Sequence, residues 1–126
     1  MIQQCIKRKQ IENKVNSMIE TIANDNGTAI KFSDGIMIAF NNIKTGDYDS
    51  SNYCSYVTWN YPIAFISSPN VFVSAPSGNN NLYNASPLID KNNSKIYLKG
   101  QAYNDATKYI DTGKRDISVF AIGRWK

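Results

Sequence analysis

Histidine is absent from all 126 residues. With it go the Ser-His-Asp and Cys-His nucleophile systems and every His-ligated metal site. Glutamate is nearly as scarce, occurring only at Glu12 and Glu20, so acid–base chemistry beyond that point would fall to aspartates alone. Two cysteines, Cys5 and Cys54, stand far apart with no CxxC spacing. They read as free thiols and not as a zinc or redox motif. No apolar run reaches the length of about 18 residues that marks a membrane-spanning helix, so no membrane insertion is expected. The opening "MIQQCIKRKQIENK" has no signal-peptide pattern, which suits a protein made in the cytoplasm. Walker loops, dinucleotide fingerprints and calcium-loop spacings are all missing, and no cofactor is expected.

What is present suits one compact domain with a short appendage. Apolar residues make up 42% and aromatics 12%, enough for a real core and against wholesale disorder. The formal charge is +4, but it is scattered. Lys7, Arg8, Lys9 and Lys14 lie near the start, and from residue 28 onward ten Lys/Arg face seven Asp. That is too even for a nucleic-acid stripe. Sixteen Asn residues favour turns and left-handed backbone positions, hence a loop-rich surface.

Residues 6–23 carry the one helical pattern. Ile11, Val15, Met18 and Ile22 are spaced four, three and four apart, with polar residues between them, which makes a short heptad seam. A short oligomeric stalk satisfies this pattern, and so does an amphipathic helix docked on the domain. Ile and Val at the seam lean toward three strands. Asn24, Asp25 and Asn26 weaken the helix, and Gly27 can take a left-handed cap. The expected organisation is a stalk over 1–25 and a β domain over 26–126.

After Gly27 the apolar period changes to two. "TAIKF-SDG-IMIAF" reads as a hairpin turning at Gly35. "SYVTW", "IAFIS", "NVFVSA", "SKIYLKGQAY" and "DISVFAIGRWK" follow. Some seven strands with frequent turns predict an all-β, antiparallel sandwich knob. Ile36, Ile38, Phe65, Val71, Val73, Ile96, Leu98, Val119 and Ala121 are expected in its core. Trp125 is expected to be buried too, because so large a side chain is rarely left on a frayed terminus. In the last strand both alternating sets are largely apolar, which suits a strand covered on both faces.

Long segments at 41–52 and 104–115, and a turn at 77–84, are the natural places for binding on such a scaffold. They hold tyrosines, which offer a flat face for stacking on sugars and a hydroxyl for hydrogen bonding. Tyr48, Asp49, Tyr53, Tyr109 and Asp111 are the best candidates. The two carboxylates of "GDYDSSN" give only a weak cation-binding pattern, and a solvated loop explains it better.

Three segments together resemble a known family. "NGTAIKFSDGIMIAF" (26–40), "VTWNYPIAFISSPNVFVSA" (57–75) and "ISVFAIGRWK" (117–126) are similar to the C-terminal domain of bacteriophage tail fibres and related receptor-binding tail proteins. Asp34 and Gly35 match the hairpin, Pro62 and Phe65 the middle block, and Ala121 to Lys126 the closing strand. "FNNIK" after the hairpin departs from the family, which more often has Trp or Gly there. The resemblance implies a trimeric knob at the tip of a virion fibre, with the stalk and the rest of the tail on its N-terminal side. A bacterial surface glycan is the implied partner. A structural cap that binds nothing and a virion glycan hydrolase using two aspartates are the alternatives.

Overall fold

The computed structural model describes residues 7–10, 19–74 and 81–126. Among the described residues nine strands follow one another: β1 (Ile19–Asn24), β2 (Gly27–Phe32), β3 (Ile36–Lys44), β4 (Cys54–Asn60), β5 (Asn70–Val73), β6 (Asn81–Ile89), β7 (Asn93–Ala102), β8 (Asp105–Tyr109) and β9 (Asp116–Arg124). They form two antiparallel sheets, one of order β1-β2-β3-β9-β5 and one of order β4-β7-β6 with β8 also on β7. All-β architecture is therefore as the sequence predicts.

The core lies between the sheets. Ala29, Met37, Ala39, Ile117, Val119 and Ala121 come from the first sheet, and Trp59 and Ile96 from the second. Ala29, Ala39 and Ala121 in the first sheet leave room for Trp59 of β4 and for Tyr61 and Phe65, which follow it. Trp59, Tyr61 and Phe65 meet edge to face, with ring centroids 5.0 and 5.1 Å apart, the geometry that ring quadrupoles favour.

The helix expected through residue 23 is corrected. Residues 7–10 are helical, but Ile19–Asn24 is a strand paired along its whole length with β2. Ile22 therefore opposes Ala29 and does not continue a helical seam. Ile11, Val15 and Met18 lie outside the described residues. The strand wins because its turn is anchored: Trp59 Nε1 donates to Asn26 O at 2.9 Å, and Asn24 Nδ2 to Pro62 O at 3.0 Å. Gly27 opens a strand and does not cap a helix, so the β body reaches back into the segment assigned to the stalk.

Within β3 the buried set is Met37 and Ala39, whereas Ile36 and Ile38 lie on the outer face. Both sets are apolar, so alternation alone did not choose between them. Pairing of Ala39 with Ala121, and of Ile38 with Ile122, decides it. Val71 and Val73 are only partly buried, and Phe65, Ile96, Leu98, Val119 and Ala121 are buried as expected. "IAFIS" is not a strand. With Pro62 and Pro69 buried at its ends, it crosses from one sheet to the other, held by Phe65 N–H to Lys91 O (2.9 Å) and Ile66 N–H to Arg124 O (3.0 Å). β6 begins inside the expected turn at 77–84, β8 lies inside the long segment at 104–115, and β3 runs on through "NNIK".

Gly35, at φ 100°, takes the left-handed turn between β2 and β3 that a side chain would resist. Its carbonyl accepts the Trp125 N–H at 2.9 Å, and Trp125 Nε1 donates to Phe32 O at 2.8 Å. Trp125 is half-buried, not buried, yet it packs on the core and is held at both ends. Full core Trp→Ala changes cost about 3–5 kcal/mol, and half-burial suggests about 2 kcal/mol for Trp125→Ala. Urea unfolding should show that loss, and a midpoint unchanged from wild type would contradict it.

Candidate functional site

The five candidate residues gather at one end of the β4-β7-β6 sheet. Asp49 builds the turn that presents them. It exchanges backbone hydrogen bonds with Cys54 (2.8 and 3.2 Å), and its carboxylate accepts the Ser51 N–H at 2.9 Å and the Asn52 amide at 2.6 Å. Those two bonds, first Asn52 and then Ser51, hold its carboxyl below the usual carboxylate value. The turn drives Tyr53 to φ 55°, a left-handed conformation that costs a non-glycine residue on the order of 1 kcal/mol. Its ring lies flat on that of Tyr109, with centroids 4.4 Å apart and planes 17° from parallel. Tyr48 sits beside them. Partial desolvation and then the Asp111 carboxylate push its phenol above the usual value, with smaller contributions from Tyr53, Cys54 and Asp49. Asp111 itself accepts the Gly113 N–H at 2.7 Å, so it too shapes a turn.

A buried hydroxyl network fixes the two long segments beneath this cluster. Thr45, Ser55 and Thr112 are all buried. Ser55 Oγ donates to Gly113 O at 2.9 Å and, its one proton used, accepts from the Thr112 hydroxyl. Thr45 Oγ1 donates to Gly113 O (3.1 Å) and accepts the Arg115 N–H (2.9 Å), while Arg115 Nε donates to Thr112 O (2.7 Å). Ile110 lies over Gly100, where a Cβ would come within 2.7 Å of it. The segment after Tyr109 is thereby pressed onto β7.

Further residues join the cluster from the strands. β7 turns Ile96 and Leu98 to the core and so sends Lys95, Tyr97, Lys99 and Gln101 outward. Tyr56 opposes Tyr97 across β4 and β7, their centroids 6.1 Å apart, and Lys95 Nζ lies 4.5 Å from the Tyr56 ring centre and 5.5 Å from that of Tyr97. Two shallow depressions adjoin at Lys99. One, of about 440 Å³, is lined by Asp49, Asn52, Tyr56, Lys95 and Tyr97, and the other, of about 360 Å³, by Asn84, Gln101 and Tyr109. These strand residues are not among the candidates that the sequence singles out. Their signal was there, since "KIYLKGQ" alternates core aliphatics with a file of Lys, Tyr and Gln.

Segments 41–44, 81–84 and 105–109 are strand, so the site is a sheet face edged by turns, not a crown of long loops. Among the described residues no group of His, Cys, Asp or Glu comes together that could hold a metal ion, and no helix is long and apolar enough to cross a membrane. No protein-family model, curated protein or solved structure matches this chain.

Two outcomes follow from this geometry. Ser55→Ala leaves the Thr112 hydroxyl and Gly113 carbonyl short of a buried partner, and should destabilise by about 1–3 kcal/mol in chemical unfolding. For Asp49 the folded carboxyl lies below its usual value of 3.8. Its contribution is therefore complete above that pH and is lost as pH falls through the lower folded value. An NMR titration of the Ser51 and Asn52 amides should show a turn intact at about pH 4 that opens only below it. A midpoint above 3.8 would contradict the assigned bonds.

Proposed function

We propose that this chain is a tail-fibre-type receptor-binding module, non-enzymatic and homotrimeric, that recognises a bacterial cell-surface glycan. It would stand on a phage or phage-like virion, with the rest of the fibre on its N-terminal side. The observation that carries this is the tyrosine face on the β4-β7-β6 sheet. Tyr53 and Tyr109 form a platform, and Tyr56 and Tyr97 a second pair, with Asn52, Asn84 and Gln101 amides and two lysines around them. Flat apolar rings beside amide donors and acceptors match a sugar, whose C–H face stacks while its hydroxyls hydrogen-bond.

Shallow depressions favour weak individual contacts, and three copies on one fibre would turn these into useful avidity. Hydrolysis fits less well. A general acid needs a raised carboxyl pKa, while Asp49 is lowered by the bonds that shape its turn. The resemblance in the three β segments supports the virion setting. A purely structural cap is the second reading, favoured by the exposed Phe40 and Phe72 that flank Phe120 on the outer face of the other sheet.

A glycan array tests the proposal. Wild type should bind one class of bacterial oligosaccharide, and Tyr53→Asn with Tyr109→Ser should weaken that binding at least about tenfold, some 1.4 kcal/mol. Asn accepts the left-handed backbone at 53, so the turn should survive. No glycan bound by wild type, or equal binding by the double variant, would overturn the proposal.

A further inference from the structure

The strands of the tyrosine face carry charge of one sign. β4, β6 and β7 together hold Lys95 and Lys99 and no aspartate or glutamate. The two lysines flank Tyr97 on the outer side of β7, with Cα atoms about 13 Å apart at strand spacing. Lys44 lies 3.6 Å from Asp116, and Lys114 lies 3.6 Å from Asp47. Among the described residues neither Lys95 nor Lys99 has such a carboxylate partner. The carboxylates of the bordering turns and of β8 are already engaged. Asp47 pairs with Lys114, Asp49 accepts from Ser51 and Asn52, and Asp111 accepts from Gly113. Asp105 accepts the Thr107 N–H at 3.1 Å and its hydroxyl at 2.7 Å.

Lys95 is the more closely held of the two lysines. It is half-buried, and its ammonium lies over both the Tyr56 and the Tyr97 ring, whose negative faces attract a cation. That contact fixes where the charge stands without neutralising it.

We infer that the sugar taken by this face is anionic, bearing a carboxylate or a phosphate that Lys95 and Lys99 meet. The inference rests on the sugar-binding reading above and names the class of sugar. A neutral sugar would displace water from two ammonium groups and offer no charge in return, which costs free energy. An anionic group replaces that water with charge-assisted hydrogen bonds. Asp49 borders the first depression on the side of Cys54, and Cys54 stands opposite Lys99. Its negative charge therefore weighs on an anion at Lys99 more than on one at Lys95, which makes Lys95 the principal partner. Lys99 lines both depressions, and Asn84 and Gln101 line the second with it. Their amides offer donors and acceptors to the uncharged hydroxyls of the same saccharide. Tyr56 and Tyr97 thus seat the ammonium, while Tyr53 and Tyr109 present rings for stacking.

A glycan array printed in matched pairs tests this. Each pair sets a uronic-acid oligosaccharide beside its carboxyl-reduced form, or a phosphate-bearing oligosaccharide beside its dephosphorylated form. Wild type should bind at least one acidic member at least about tenfold more tightly than its neutral partner. The kind of pair that responds identifies the anion as carboxylate or phosphate. Added salt should weaken that binding, a readout that needs no substitution. Lys95→Gln with Lys99→Gln should bring the acidic member down to the level of the neutral one. Lys44→Gln, which removes a charge from the other sheet, should leave the preference unchanged. Neutral members bound as tightly as acidic ones would overturn the inference and leave the sugar-binding reading standing. So would a preference that survives both glutamines or ignores salt. Absence of any bound glycan would overturn both.

Discussion

The hydrogen bonds of the Ser55, Thr112 and Thr45 hydroxyls are the constraint on which the candidate site depends. They are buried polar groups in a small domain, each of which would be costly if left unpaired. Their bonds to Gly113 and Arg115 tie the approach to β9 against the start of β4 and the end of β3. With both long segments pinned underneath, the turn at Asp49 and the end of β8 have fixed positions. Tyr53 can then be held in a strained backbone against Tyr109. A rigid underside carrying shaped aromatics lowers the entropy lost on binding, which matters most when each contact is weak.

The two outer surfaces of the sandwich differ in composition. β7 presents Lys, Tyr and Gln outward, and β9 presents Phe120 and Ile122. A strand with apolar residues on both sides needs cover on both, and within one chain β9 is covered only on the side of Ile117, Val119 and Ala121. The half-buried Trp125 closes the sheet at its terminus by bonding Phe32 and Gly35, which keeps the end of β9 in register.

All-β character was legible because period-two alternation and turn residues agree over most of the chain. The candidate cluster was legible in part, since tyrosines in polar segments with few other roles stand out: Tyr48, Asp49, Tyr53, Tyr109 and Asp111 lie close together. Three features were not. Ile19–Asn24 satisfies a helical spacing and a strand equally, and only Trp59 and Pro62, distant in sequence, fix it as a strand. In β3 both faces are apolar, so Met37 and Ala39 are chosen by pairing with β9. β6 contains Pro87, which normally argues against a strand, yet β6 is an edge where a missing N–H is tolerated.

The central claim is that the tyrosine face of the β4-β7-β6 sheet takes a bacterial sugar. An experimental structure with a bound bacterial oligosaccharide tests it most directly. The account predicts sugar rings against Tyr53, Tyr56, Tyr97 or Tyr109. A bound oligosaccharide elsewhere, with these four rings free of it, would contradict the account.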